Sequence, residues 1–329
     1  MKEIIQANRK QLINDEEASK QRLVQTYQNI ATRLSANLNA LLLEVDFNNN
    51  PTTFKVSQLN RYQTLLSQIR TELNTFGNNI SYETNVTTTK AIELGTNNAQ
   101  QLTGFLFNNV PEFTNIWNRL PVESIQQLLK FLDSNGALHT GLVNDLGSNA
   151  AQLFEDKFLE GIALGYNPVK IARLAETTLN QPLHWALQTI RTAQLYSYRE
   201  ATRANFAANA DIVEGWIWFA TLDLRVCLSC VSKHGQRFDL DTRLNDHHNG
   251  RCNMLPMVKP EFNVINLQVQ SGKDWINKLT KAQQLELMGE GKYDLFKRNK
   301  LDFNSLSVTY KNDIYGDMLR EATLAELKK

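Results

Sequence analysis

The chain has 329 residues, with 35 Lys and Arg against 34 Asp and Glu, so its formal net charge at pH 7 is +1. This length allows about two or three domains with a substantial core. A nearly neutral chain has no global positive field, which excludes nucleic-acid binding driven by the whole surface and leaves only local patches for contact with DNA. No apolar run approaches the roughly 20 residues that span a bilayer, so we expect no membrane partner.

Two long stripes of apolar residues at helical spacing open the chain. The first lies within residues 1–46 and ends before Pro51, which cannot continue a helix. The second ends at Phe76, where Gly77 suits a C-terminal cap. We therefore predict a long helical hairpin over residues 1–80, with stripes that face either its own core, the simpler interpretation, or a partner subunit. The stripes consist of Leu23, Tyr27, Ile30, Leu34, Leu38, Leu41 and Val45, then Leu59, Tyr62, Leu66, Ile69, Leu73 and Phe76.

The charged arm from Met1 to about Lys20 is only weakly apolar, so we expect it to fray or to bind a partner. The Thr-rich stretch Ser81–Lys90 is expected to form a loop or a surface strand. Patches of helical character then predict a helical domain over residues 81–152. These patches are Ile92–Phe107, Val122–Leu132 and Asn149–Leu164.

All three cysteines lie in the stretch Gly215–Val258. Alternating aromatic and polar residues around Trp216 and Trp218 predict a short strand that leads into the C-x-x-C turn, and we expect both tryptophans to lie in the core. Three cysteines cannot all pair, and no secretory segment is apparent, so a disulfide framework is not expected. The spacing instead indicates a metal site, although free cysteines are also common as small buried hydrophobic residues.

A C-x-x-C turn followed by a His and a Cys on a second turn supplies four donors, which is the closed tetrahedral set of structural zinc. The residues of this set are Cys227, Cys230, His247 and Cys252, with His248 and His234 as reserve ligands. The sequence lacks the second C-x-x-C of the most specific zinc motifs. We predict a structural zinc ion that pins a segment with too small a core to fold alone.

The same residues carry a resemblance to a known family. The pattern resembles the signature of the head-morphogenesis family of tailed phages, which is related to the F protein of phage Mu. That signature usually ends in H-x-x-C-R-C, and here its first cysteine is replaced by Gly250. Upstream, Gly165–Ala172 and Arg191-Thr192 also resemble the family, whose usual Glu is Ala193 here. The matching residues of the signature are Trp218, Asp223, Arg225, Cys227, Cys230, Gly235, Phe238, His247, Arg251, Cys252, Leu255 and Pro256.

The resemblance covers the chain from about Leu153 to the end. It implies a minor head protein, a structural and non-enzymatic virion component in the head interior or at the portal vertex, present in the host cytoplasm during assembly. It also implies binding to portal protein, or to capsid or scaffold proteins, with phage DNA as a further contact in packaging or ejection. The Arg-bearing face of the helix with Arg191, Arg199 and Arg203 either touches DNA phosphates or is simply solvated.

Other functions need parts that the sequence lacks. It has no phosphate-binding loop, dinucleotide fingerprint, H-E-x-x-H or G-x-S-x-G motif, so we predict no enzyme and no small-molecule substrate. Asp246–Asn249 superficially resembles the metal site of HNH-type nucleases, but no histidine follows His248. A nucleophilic pair of Cys227 or Cys230 with His234 is a weaker alternative. A toxin would need a catalytic domain after the module, whereas a zinc-stapled cellular adaptor remains open.

The predicted fold is mostly α with a small α+β module. It comprises the hairpin (1–80), a central helical domain (81–152), the Cys/His-stapled module (153–270) and a helical C-terminal appendix (271–329). Within it, alternation over Phe262–Val269 predicts one more strand.

Overall fold

The computed structural model describes residues 1–49, 51–108, 111–129, 136, 138, 146–262, 264–265 and 267–328. The fold is mostly α with a small α+β part, as the sequence predicts. The helices are α1 (Lys2–Glu44), α2 (Thr53–Ser57), α3 (Asn60–Leu106), α4 (Pro111–Ile116), α5 (Val122–Leu128), α6 (Leu146–Ala163), α7 (Pro168–Ala207), α8 (Leu228–Lys233), α9 (Gly272–Asn277), α10 (Lys281–Lys297) and α11 (Leu324–Leu327). The strands are β1 (Val213–Phe219), β2 (Arg237–Phe238), β3 (Asn253–Val258), β4 (Ser307–Asn312) and β5 (Gly316–Glu321).

The chain forms two compact units that do not follow the order of the sequence. Unit 1 comprises Met1–Ile13, Thr88–Leu129 and Thr192–Lys329, and unit 2 comprises Asn14–Thr87 and Lys130–Arg191. Helices α1, α3 and α7 each contribute residues to both units. None of the described helices combines the length and the apolar character needed to cross a membrane.

Unit 2 is built on the two predicted stripes. Helices α1 and α3 run antiparallel. Two ion pairs show this, since the earlier residue Arg22 pairs with the later residue Glu83, and the later residue Arg33 pairs with the earlier residue Glu72. The stripe residues are buried against one another, apart from the half-buried Leu59. Helix α6 adds Phe154 and Phe158 to this core, and their rings are stacked with centroids 5.4 Å apart. The simpler interpretation of the stripes is therefore correct, since they face the core of their own unit.

The second helix is longer than its stripe predicts. Gly77 does not end α3, and the stretch Ser81–Lys90 is helical rather than a loop or strand. Its threonines are accommodated because their hydroxyls bond to the helix itself: Thr84 donates to the Ile80 carbonyl and Thr87 to the Glu83 carbonyl, at 2.7 and 2.8 Å. Tertiary packing of these buried residues overrides their weak helix propensity.

The N-terminal arm is not frayed. Helix α1 begins at Lys2, and Leu12 is buried. Within unit 1, the first turn of α1 contributes Ile4 and Ile5 to a small apolar cluster around Ile217 and Leu255. The charged side chains of the arm thus lie mainly on its exposed face, while most of its few apolar side chains pack against the rest of unit 1.

A three-stranded antiparallel sheet in the order β2-β1-β3 forms the centre of the Cys/His module, which we define as residues 213–258. Alternation along β1 places Trp216 and Trp218 in the main core of unit 1 and Ile217 in the cluster on the opposite side. Trp216 stacks on Phe238 across the strand pair, with ring centroids 4.6 Å apart. Both tryptophans are therefore core residues, as predicted.

The C-terminal region contains more strand than we predicted. Strands β4 and β5 form an antiparallel hairpin inside the region predicted as a helical appendix. Asn312 closes the turn between them, because its side-chain oxygen accepts the N–H groups of Ile314 and Tyr315.

By contrast, the described residues of Phe262–Val269 form no strand. The backbone N–H of Ile265 donates to the carbonyl of Leu106 at the end of α3 instead of to a neighbouring strand. Residues 130–132 of the predicted helix Val122–Leu132 lie outside the described residues.

Candidate metal centre

The C-x-x-C turn is the start of the short helix α8. Cys227 is its N-cap residue, and its sulfur accepts the backbone N–H of Cys230 at 3.4 Å. The N–H of Leu228 donates to the carboxylate of Glu321 on β5 at 2.9 Å. These contacts place the sulfurs of Cys227 and Cys230 on one tight turn, as the spacing predicts.

The second turn, residues 244–252, precedes β3 and is tightly wound. Asn249 has a φ of 60°, and the N–H of Gly250 donates to the His247 carbonyl. A Cβ added at Gly250 would lie 2.0 Å from an oxygen of Asp246. The Asp246 carboxylate thus occupies the space beside Gly250.

The two turns meet at one cluster of donor atoms. The donor atoms of Cys227, Cys230 and His247 lie within 4.8 Å of one another, and so do those of Cys230, Asp246 and Cys252. Zinc–sulfur and zinc–nitrogen bonds of about 2.3 and 2.0 Å place tetrahedral ligands roughly 3.5–4 Å apart, so both triplets have the scale of a zinc site. The two triplets share Cys230 and together form what we call the donor cluster, which contains the four predicted ligands and an unpredicted carboxylate, Asp246.

The reserve ligands lie outside these triplets. His234 is buried, and its Nδ1 accepts the N–H of Ala220 at 3.0 Å. Burial lowers the pKa of His234 to about 4, so the ring is neutral at physiological pH. His248 instead contacts the ring of Tyr315 edge-on, and its Nδ1 is 3.4 Å from the hydroxyl of Thr192.

Cys227 and His247 form a polarised pair, with 3.0 Å between Sγ and Nε2. Interactions with the side chains of Cys230 and His247 lower the pKa of Cys227 to about 5 despite its burial. Burial lowers the pKa of His247, but Cys227 and Asp246 outweigh it and raise the pKa to about 9. Cys227 is therefore a thiolate at neutral pH, and the thiolate is the form of cysteine that binds metals.

The other two thiols are protonated in the absence of a cation. The Cys227 and Cys252 side chains and burial raise the pKa of Cys230, and burial raises the pKa of Cys252. A divalent cation would displace these protons, and also the second proton of His247, and would compensate the negative charge of the thiolates. Sulfur and imidazole donors in this arrangement are the set that zinc prefers.

A buried ion pair supports the second turn. The guanidinium of Arg199, on α7, donates to Asp246 Oδ2 at 2.9 Å and to the carbonyls of Gly250 and Cys252 at 2.8 and 3.0 Å. Burial raises the pKa of Asp246, but the charge of Arg199 outweighs it and keeps the pKa below its usual value. Sequence reasoning missed this pair, although Asp246 directly precedes the predicted ligand His247.

Further signature residues contact one another beside the cluster. Asp223, at the exit of β1, forms a two-pronged ion pair with Arg251, with N–O distances of 2.6 and 2.5 Å. Hydrogen bonds from Arg251 lower the pKa of Asp223 to about 2. Arg225 donates its backbone N–H to Asp223 Oδ1 at 3.0 Å, and its guanidinium lies 3.4 Å from Oδ2. The Asp223–Arg251 pair therefore ties the end of β1 to the second turn.

The arginines considered for DNA contact are used within their own units. In unit 1, Arg199 pairs with Asp246 and Arg203 with Glu200. In unit 2, Arg191 lies 3.4 Å from Glu16.

No protein-family model matches the chain, and no curated protein or solved structure is significantly similar to it. The family resemblance therefore rests on the residues of the Cys/His module and its flanks.

Proposed function

We propose that this protein is a structural minor head protein of a tailed phage, in which zinc held by Cys227, Cys230, His247 and Cys252 pins the Cys/His module. The observation that carries the proposal is the convergence of the signature residues: Cys227 contacts His247, Asp223 pairs with Arg251, and the rings of Trp218 and Phe238 lie 5.9 Å apart. These contacts make the signature residues one local arrangement around the candidate metal centre.

The role of the zinc is mechanical. The ion joins the C-x-x-C turn to a turn that lies about twenty residues further along the chain, and so closes the loop that contains β2. His247 suits a ligand better than a general base, because Nε2 faces the Cys227 sulfur and Nδ1 lies 2.7 Å from the carbonyl of His248. A nuclease would need one of these nitrogens for the attacking water.

The proposed partners are the portal protein and capsid or scaffold proteins, with DNA contact during packaging or ejection as a secondary role. The apolar stripes of α1 and α3 are buried in unit 2, so a partner would need to dock on other residues. Unit 2 exposes several large apolar side chains, and we propose these positions for docking of the partner. These are Leu43, Phe54, Tyr82, Leu164 and Val169.

The direct test is co-purification with the portal protein of the phage whose genome encodes this chain, together with mass spectrometry of the purified virions. We expect a complex with portal and a few copies of the chain per virion. The double substitution Leu43→Asp/Phe54→Asp should weaken the complex, whereas Gln25→Asp, at another exposed position of α1, should not. Absence of the chain from virions and from portal complexes would refute the proposal.

A further inference from the structure

The donor cluster contains one carboxylate more than a four-ligand site needs. Asp246 is fully buried, and its Oδ1 lies 3.1 Å from the Cys230 sulfur and 3.5 Å from His247 Nε2. Carboxylates are regular zinc ligands. Five donors therefore compete for four places, and something in the structure must decide between Cys252 and Asp246.

Four hydrogen bonds already occupy the acceptor positions of the Asp246 carboxylate. Oδ1 accepts the N–H of His247 at 2.8 Å and the thiol of Cys230, while Oδ2 accepts Arg199 at 2.9 Å and the N–H of Cys252 at 3.3 Å. A carboxylate has about four acceptor positions. Only the position facing Cys230 is vacated when that thiol becomes a thiolate, so the remaining three bonds hold the group in place.

Arg199 and Asp246 also hold the backbone of Cys252 from both sides. Asp246 accepts its N–H, and Arg199 Nε donates to its carbonyl at 3.0 Å. A second bond from Arg199 to the Gly250 carbonyl fixes the residues just before it. The direction of the Cys252 side chain is thus set by the ion pair.

We propose that the Arg199–Asp246 ion pair selects the fourth zinc ligand: it directs the Cys252 sulfur to the metal and keeps the Asp246 carboxylate bound to Arg199, outside the coordination shell. The inference rests on the proposed zinc site and specifies how that site is completed. Arg199 and Asp246 are positioning residues in it. Asp246 becomes a ligand only when both Cys252 and the charge of Arg199 are removed.

The test is a set of cobalt and zinc titrations of the full chain. The absorption of Co²⁺ reports the number of bound thiolates, and competition with a chelator gives the affinity. Arg199→Gln alone should weaken binding by about 10- to 100-fold, the usual effect of removing an outer-shell partner. Cys252→Ser should weaken binding and reduce the thiolate-to-cobalt absorption below that of the wild type.

The decisive variant is Arg199→Gln/Cys252→Ser. We expect it to bind zinc about tenfold more tightly than Cys252→Ser, because Asp246 is then released to coordinate, and we expect Asp246→Asn to abolish this gain. A merely structural role for Arg199 predicts that the two losses add. Arg203→Gln, which breaks the similar ion pair with Glu200 one turn along α7, is the matched control and should leave metal affinity unchanged.

The outcomes separate the two claims. A wild type that binds neither metal refutes the zinc site itself. A wild type that binds metal, with losses that add in the double variant, overturns only the role of the ion pair. If Arg199→Gln does not fold, equal thiolate absorption in the wild type and Cys252→Ser would still overturn the proposal, because Cys252 would then not be the fourth ligand.

Discussion

Unit 2 and the Cys/His module of unit 1 bury very different chemistry. The core of unit 2 is mainly apolar, with Phe76, Phe154 and Phe158 fully buried, and its buried carboxylates Glu16 and Glu83 are paired with arginines. The module instead buries two thiols and a carboxylate, and the buried guanidinium of Arg199 on α7 pairs with that carboxylate. An apolar core is stabilised by its own packing, whereas buried polar and charged groups cost free energy unless each one is paired or binds a metal. The two regions should therefore respond differently to metal and to substitution.

Removal of the metal should have the largest effect and should affect only the module. We expect a chelator, or Cys230→Ser, to destabilise the module by more than ~5 kcal/mol, since structural zinc contributes about 10–16 kcal/mol in zinc-finger peptides. Hydrogen exchange measured by mass spectrometry should show faster exchange in β1 and β3 and unchanged exchange in residues 60–87 of α3. A chelator should have no further effect on Cys230→Ser. Equal protection of β1 with and without metal would contradict this account.

The converse substitution lies in unit 2. Phe158→Ala removes a fully buried ring from the α3–α6 contact, and we expect a loss of about 3–5 kcal/mol with no change in metal content. Urea denaturation and metal analysis would measure both quantities. Phe54→Ala, at a side chain that is 73% exposed, is the control and should change the free energy of unfolding by less than about 0.5 kcal/mol. Loss of metal from Phe158→Ala would show that the two regions are not energetically separate.

His234 gives the module a pH dependence of its own. Its pKa is about 4 when folded and about 6.5 when unfolded, so the unfolded chain binds the extra proton first as the pH falls. Stability should therefore decline from pH 6.5 to pH 4, by up to about 3 kcal/mol in total. The difference between wild type and His234→Gln, measured by denaturation at each pH, isolates this contribution. Parallel pH profiles for the two proteins would rule it out.

The smallest effect concerns two tyrosines of unit 2. The hydroxyl of Tyr27 is buried without a hydrogen-bond partner among the residues that the structure describes, whereas Tyr62 donates to Glu155 at 3.2 Å. Tyr27→Phe should be neutral or stabilising by up to about 1 kcal/mol, and Tyr62→Phe should be destabilising by a similar amount. Thermal denaturation of the two variants measures the difference, and a destabilised Tyr27→Phe would show that its hydroxyl does have a partner.

The sequence predicted the apolar region well because helical periodicity depends only on residues three or four apart. The stripes from Leu23 to Val45 and from Tyr62 to Phe76 lie in the core as predicted. The stretch Ser81–Lys90 was mispredicted because the hydroxyls of its threonines donate to carbonyls of the helix and their side chains are packed in the core. Helix propensity, a property of each residue type, includes neither effect. The β4–β5 hairpin had a local signal, the alternation before Asn312, that we interpreted as part of a helical tail.

The candidate site was predictable only in part. Spacing predicted Cys227, Cys230, His247 and Cys252 as ligands, since ligands on tight turns are close in sequence. Asp246 and Arg199 were missed because their pairing joins α7 to a turn 47 residues away, and no local pattern records such a contact. Arg251 was a signature residue, but its ion pair with Asp223 likewise depends on the sheet that brings β1 and β3 together.

The most direct test of the account is the zinc stoichiometry of the purified full-length chain, measured by native mass spectrometry for the wild type and Cys227→Ser. We predict one zinc ion per wild-type chain and none in the variant. A wild-type chain that carries no metal, while folded and with its thiols reduced, would contradict the central claim that a metal ion joins the two turns of the module.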